Sequence, residues 1–161
     1  MSRKFAEGTT VNAGRTKGEI EDMLTSRGIE QFGSLADKKS ATVMFSYRGL
    51  TYKITIDLPD REDQKFSTYM RGSIRYEREP HVADKLWSDE VNRKWRALAA
   101  VIKAKLIAVD EGITTFEDEF LSHIVTDNGD TLGARMIPQV KAAALEGRMP
   151  SALALPGGSN A

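Results

Sequence analysis

ATVMFSYRGLTYKITIDL, residues 41–58, is the stretch on which the fold turns. Ala41, Val43, Phe45 and Tyr47 alternate with Thr42, Met44 and Ser46. After Arg48-Gly49, Leu50, Tyr52, Ile54, Ile56 and Leu58 alternate with Thr51, Lys53, Thr55 and Asp57. Period-two alternation is the mark of a half-buried strand. With Arg48-Gly49 as a two-residue loop, Tyr47 lies opposite Leu50, Phe45 opposite Tyr52, Val43 opposite Ile54 and Ala41 opposite Ile56. Apart from Met44, every apolar residue of both strands then falls on one face, and a slip of one residue would destroy that match. The other face is polar and rich in threonine, as a solvated face of an antiparallel sheet should be. Pro59 ends the second strand.

Upstream, Thr16-x-x-Glu19 has the form of a capping box ahead of Ile20, Met23 and Leu24, and Gly28 suits a left-handed helix end. A helix over 17–27 is therefore expected, preceded by a polar leader, 1–15. Downstream of Pro59, residues 60–80 are polar and broken by glycine, with an edge strand expected around Ile74–Tyr76. Then Val91, Trp95, Leu98, Ile102, Leu106 and Val109 recur at steps of three and four. They mark one long helix over 83–111, about 40 Å at 1.5 Å per residue. On its opposite side lie Ala97, Ala100, Ala104 and Ala108, which suggests a second layer packed closely on that back.

Thr114-x-x-Glu117, or Thr115-x-x-Asp118, opens a short helix through Phe116, Phe120, Leu121 and Ile124. Asp127-Asn128-Gly129 reads as a turn. Thr131 caps a last helical stretch to about residue 146, split at Pro138, with Ile137, Val140 and Ala144 toward the core. Residues 149–161 read as an irregular tail. The expected fold is α+β: one domain over 16–148, an antiparallel sheet built on a β-hairpin and packed on one long central helix with shorter helices beside it.

Composition narrows the function. The chain has 161 residues and balances 23 Lys+Arg against 23 Asp+Glu, which excludes a histone-like polycation. The absence of cysteine excludes disulfides, thiolate metal sites and thiol catalysis, and it suits a reducing cytoplasm. With no apolar run near 18 residues and no apolar signal core at the start, neither a membrane span nor an export signal is expected, and the expected location is cytoplasmic. The charge is unevenly spread: residues 71–105 hold 9 basic and 5 acidic side chains, and 106–130 hold 7 acidic and no basic ones.

The basic stretch supplies the main site candidates. Arg71, Arg75 and Arg78 are interleaved with Tyr69 and Tyr76, and Arg93, Arg96 and Lys103 follow on the long helix. Arginines track phosphates, and tyrosines give a stacking platform for bases. The acidic stretch supplies the others: Glu117, Asp118 and Glu119 could meet a basic groove on a partner, although first-turn carboxylates also answer the helix dipole. Glu119 and His123, four residues apart, share a helix face but lack the further ligands that a metal needs. Asp57, Asp60, Glu62 and Asp63 lack calcium-loop spacing. No phosphate loop, nucleophile elbow or dinucleotide fingerprint is present, so no catalytic residue, metal or cofactor is expected, and metal-dependent hydrolysis is the least favoured reading.

Lys94-Trp95-Arg96-Ala97-Leu98, Ile102-Lys103-Ala104-Lys105-Leu106, Gly112-Ile113 and Phe116-Glu117-Asp118-Glu119-Phe120-Leu121 together resemble a family of small proteins encoded by bacteriophages and prophages. Asn128-Gly129-x-Thr131, Pro138-Gln139, Gly147-Arg148-Met149-Pro150, and Gly28 with Gln31-Phe32-Gly33 extend the likeness over most of the chain except 60–80. The resemblance implies a phage setting in a bacterial cytoplasm and an accessory role, in phage DNA metabolism or against a host enzyme or defence system. It carries no site residues. The expected function is thus a non-enzymatic accessory protein that binds a host or phage protein, modulating or inhibiting a nucleic-acid enzyme or defence system. The alternative is a direct nucleic-acid binder serving phage replication or recombination.

Overall fold

The computed structural model of the chain describes residues 12–148. The expected tail and residues 1–11 of the expected leader lie outside them. The elements run α1 (Ala13–Thr25), β1 (Gln31–Ala36), β2 (Ser40–Tyr47), β3 (Leu50–Asp57), α2 (Gln64–Ser67), β4 (Thr68–Arg71), β5 (Ile74–Glu77), α3 (Pro80–Asp110), α4 (Phe116–Phe120), a 3-10 turn (Leu121–His123) and α5 (Leu132–Leu145). The fold is α+β, with an antiparallel sheet in the order β1-β2-β3 and a separate two-stranded ribbon, β4-β5.

The β2–β3 hairpin has the register that its alternation requires: Tyr47↔Leu50, Phe45↔Tyr52, Val43↔Ile54 and Ala41↔Ile56. Arg48 and Gly49 both have positive φ, 49° and 76°, which makes a turn whose twist matches that of the flanking strands. Ala41, Val43, Phe45, Tyr52 and Ile54 are buried against Trp95, Leu98, Ile102 and Leu106 of α3, Ile20 and Leu24 of α1, and Phe116 and Phe120 of α4. The aromatic rings interlock: Phe45 stacks on Tyr52 at 5.2 Å, and Phe120 meets Phe45 edge-on at 5.6 Å. On the open face, the Thr42 and Thr55 hydroxyls hydrogen-bond across the strands at 2.9 Å.

Helix α1 starts one turn earlier than expected. Its cap is Asn12, whose Oδ1 accepts from the Arg15 N–H at 3.0 Å. The Ala13 N–H is satisfied from α3, donating to Asn92 Oδ1 at 2.8 Å. Thr16, expected to cap, is instead fully buried inside the helix. Residues 13–15 therefore belong to the folded body and not to a leader. At the other end, Arg27 pairs with Asp110, so α1 lies alongside α3 in the same direction.

Three further expectations need correction. The third strand of the main sheet is β1, formed by Gln31-Phe-Gly-Ser-Leu-Ala36, while Ile74–Tyr76 pairs only with β4. On the back of α3, Ala104 is exposed, as are Val101 and Ile107, whereas Ala97, Ala100 and Ala108 are half-buried, so the described residues form no continuous close layer there. Helix α5 is continuous through Pro138; both Pro138 and Ala134 are exposed, so the carbonyl deprived of a donor is solvated. Its inward residues are Gly133 and Ala143, whereas Ile137, Val140 and Ala144 face outward. A Cβ at Gly133 would come within 2.8 Å of the Ser122 carbonyl oxygen, so only glycine lets α5 approach the 3-10 turn this closely.

Candidate functional site

The ribbon β4–β5 is the candidate site. Its pairing, Thr68↔Glu77, Tyr69↔Tyr76, Met70↔Arg75 and Arg71↔Ile74, sorts its side chains between two faces. Tyr69, Arg71, Ile74 and Tyr76 share one face, and Thr68, Met70, Arg75 and Glu77 share the other. Gly72, with φ 63°, turns the chain at the tip. All the strand residues but Thr68 are exposed, and α2 at its base is the ribbon's main neighbour. Asp63 caps α2 by accepting from the Lys65 N–H at 3.1 Å, and Phe66 is buried beneath it. Arg61–Asp84 and Lys65–Glu90 ion pairs fasten this base to α3, and the Trp87 indole donates to the Pro59 carbonyl at 2.8 Å.

On the first face the two tyrosines stack at 5.6 Å and 24°, and the Arg78 guanidinium lies over Tyr69 at 5.1 Å. The arrangement holds a cation and two π-systems in one file, with both rings still open to solvent. Arg71 and Arg78 make no ion pair among the described residues, and Arg75 reaches only the Gln64 amide oxygen at 3.5 Å. At the tip, Met70 and Ile74 are 58% and 59% exposed.

The other expected basic residues lie elsewhere. Arg93 is only 17% exposed and pairs with Glu90 at 3.4 Å. Arg96 is half-buried on α3. Lys103 is exposed but 23 residues beyond Pro80, about 35 Å along the helix. The six residues therefore form no single patch: Arg71 and Arg78 lie with the tyrosines, and Arg75 is on the ribbon's other face.

The acidic trio is also divided, by local bonding. Glu117 faces Arg48 at 3.5 Å, Asp118 accepts from the Thr115 hydroxyl at 2.8 Å, and Glu119 pairs with Lys105 at 3.1 Å. Of the two capping frames, Thr115-x-x-Asp118 is the one used, with the Asp118 N–H donating to Thr115 Oγ1. Glu119 thus links α4 to α3 and Glu117 faces the hairpin, while Asp118 turns back to its own cap and stays exposed.

His123 sits beside Lys53, Asp130 and Thr131 in an open pocket of about 270 Å³. Burial, aided by Lys105, pushes its pKa down, while a hydrogen bond to the Lys53 backbone pulls the other way. Among the described residues no group of three or more His, Asp or Glu side chains could hold a metal ion. No helix among them is long and apolar enough to cross a membrane.

The α+β body thus presents one exposed ribbon that carries arginines and stacked tyrosines. Compared with known proteins, the chain matches no family model, no curated protein and no solved structure, so none of these bears on the phage resemblance.

Proposed function

We propose that the protein binds nucleic acid, with the β4–β5 ribbon as its contact element. One observation carries this reading: Tyr69, Tyr76 and Arg71 share one exposed face of the ribbon, with Arg78 over Tyr69, and no strand residue on that face is acidic. A two-stranded ribbon is one of the elements that a duplex groove admits. Unpaired arginines on it can neutralise phosphates, and exposed tyrosines can stack on unpaired bases. Met70 and Ile74 at the tip have the chemistry of apolar wedges that enter between base steps. The role belongs to an accessory of DNA or RNA metabolism, which agrees with the setting that the phage resemblance implies. The protein-partner reading is now the second one. Glu117 and Glu119 each face a basic side chain of the same chain, and exposed Met70 and Ile74 would suit an acidic, apolar-floored groove on a nucleic-acid enzyme.

Fluorescence anisotropy with labelled single-stranded and duplex oligonucleotides, at low and physiological salt, tests it. Saturable binding that weakens with salt is expected, and Arg71→Glu should weaken it and flatten the salt slope by about one unit or more. Tyr76→Ala should cost about 1–3 kcal/mol on single strands. Absence of saturable binding at low salt would transfer the ribbon to the protein-partner reading, as would binding indifferent to Arg71.

A further inference from the structure

The two edges of the β1-β2-β3 sheet are treated differently. At β3, the Val125 N–H donates to the Thr51 carbonyl at 2.8 Å, and Ile124 bridges Tyr52, so that edge is partly closed. At β1 no described residue pairs with the outer side. The strand is Gln31-Phe32-Gly33-Ser34-Leu35-Ala36, with no charge and no proline, and Leu35 is 72% exposed. Natural edge strands are usually blunted by a charge, a proline or a bulge. This one has none within its six residues, although it is flanked by Glu30 and by Asp37-Lys38-Lys39.

The ladder decides which groups are free. The Asp37 N–H donates to the Ser40 carbonyl at 2.9 Å, and bonding alternates residue by residue in an antiparallel pair. Residues 31, 33 and 35 therefore turn their backbone groups toward β2, and Phe32, Ser34 and Ala36 turn theirs outward. We propose that this edge takes the β1 strand of a second copy of the chain, antiparallel and centred on Ser34, to give a continuous six-stranded sheet across a two-fold axis. This is independent of the ribbon and its ligand.

Self-complementarity argues for a second copy as the occupant. Centred on Ser34, the register sets Ser34 against Ser34, Phe32 against Ala36 and Ala36 against Phe32. All the outward N–H and C=O groups are then used, in six hydrogen bonds across the axis. The same register places Leu35 opposite Gly33 of the second copy at a non-hydrogen-bonded position, where facing side chains come closest. Gly33 has nothing within 4 Å of the place a Cβ would occupy, so the exposed leucine finds an empty site. It also brings Lys38, in the turn after β1, toward Glu30 of the other copy at both ends, the Glu30 N–H being turned to the Ser46 carbonyl of β2. Both residues are exposed, and neither forms an ion pair among the described residues. No register centred elsewhere satisfies the hydrogen bonds, the leucine and the charges together.

The interface is small, so the expected state is a concentration-dependent dimer. Sedimentation equilibrium on the full chain over a wide concentration range should show a monomer–dimer equilibrium. Leu35→Lys should raise its dissociation constant by about tenfold or more, because a charge on an edge opposes pairing. Lys38→Glu should weaken the dimer in the same direction, and adding Glu30→Lys to it should restore the pairing. A chain that stays monomeric throughout overturns the proposal. So does a dimer insensitive to Leu35→Lys, or one that the double charge swap fails to rescue.

Discussion

Tyr52 has its whole ring in the core, stacked on Phe45, yet its hydroxyl has no hydrogen-bond partner among the described residues. Burial, with a smaller contribution from Glu117, raises its pKa, so the group stays a neutral, unsatisfied phenol. An unpaired buried hydroxyl costs about 1–3 kcal/mol of desolvation. Tyr52→Phe should therefore stabilise the fold, by about 1 kcal/mol, in urea titrations; a loss of that size would mean that the hydroxyl has a partner. Gly49 is the opposite case. Its φ of 76° is one that other residues adopt at a cost of about 1–2 kcal/mol, so Gly49→Ala should lower the urea midpoint accordingly without altering the hairpin register. The hairpin was legible at this scale because both strands place their apolar side chains on one side only when that loop has two residues.

At the scale of elements, α3 shows how a pattern can be read on one face and misread on the other. The stripe Trp95, Leu98, Ile102 and Leu106 is buried, as its spacing requires. Of the alanines behind it, Ala97, Ala100 and Ala108 are half-buried and Ala104 is exposed; small side chains permit close contact, and where the helix meets solvent they carry good helix propensity. Trp95→Ala should cost about 3–5 kcal/mol as a large-to-small core change. Ala104→Leu should stay within about 0.5 kcal/mol of the parent, because Ala104 is exposed. Thermal or urea unfolding of the pair checks the asymmetry, and a large loss in Ala104→Leu would reveal a layer over that back. The ribbon illustrates the converse: Arg71, Arg75, Arg78, Tyr69 and Tyr76 were legible as a cluster, but their division between two faces needed the β4–β5 register.

For the whole molecule, pH dependence follows from His123, wedged between α4's exit and the sheet. Its pKa is lowered by burial and by Lys105, so the unfolded chain takes up a proton at higher pH than the folded one. Stability from this group is complete above the unfolded value, about 6.5, and is lost as the pH falls through it toward the folded value. Urea titrations at about pH 7.5 and pH 5.5 should show a loss on acidification that is smaller in His123→Gln. An equal loss in both proteins would move the effect to other groups. Asp110 and Asp37, held below the usual carboxylate range by Arg27 and by the Lys39 and Ser40 backbone N–H groups respectively, act in the same direction at lower pH.

What the sequence by itself determined was whatever depends on repetition within one segment. The register of residues 41–58, the buried stripe of α3, the Thr131 cap and a cap at Thr114 or Thr115 all follow from side-chain periodicity and local hydrogen bonding. Tertiary structure alone decided features whose partners lie far along the chain. Gln31–Ala36 has too weak an alternation to announce a strand and becomes one because β2 offers it a ladder. Helix α1 begins at Ala13, where the local cap Asn12 is joined by Asn92, 79 residues away, which accepts the helix's first N–H. Glu117 and Glu119 meet Arg48 and Lys105, basic residues 69 and 14 positions away. In each case a polar or apolar group is satisfied by a neighbour that no local pattern specifies, since the chain brings the two together only when the core closes.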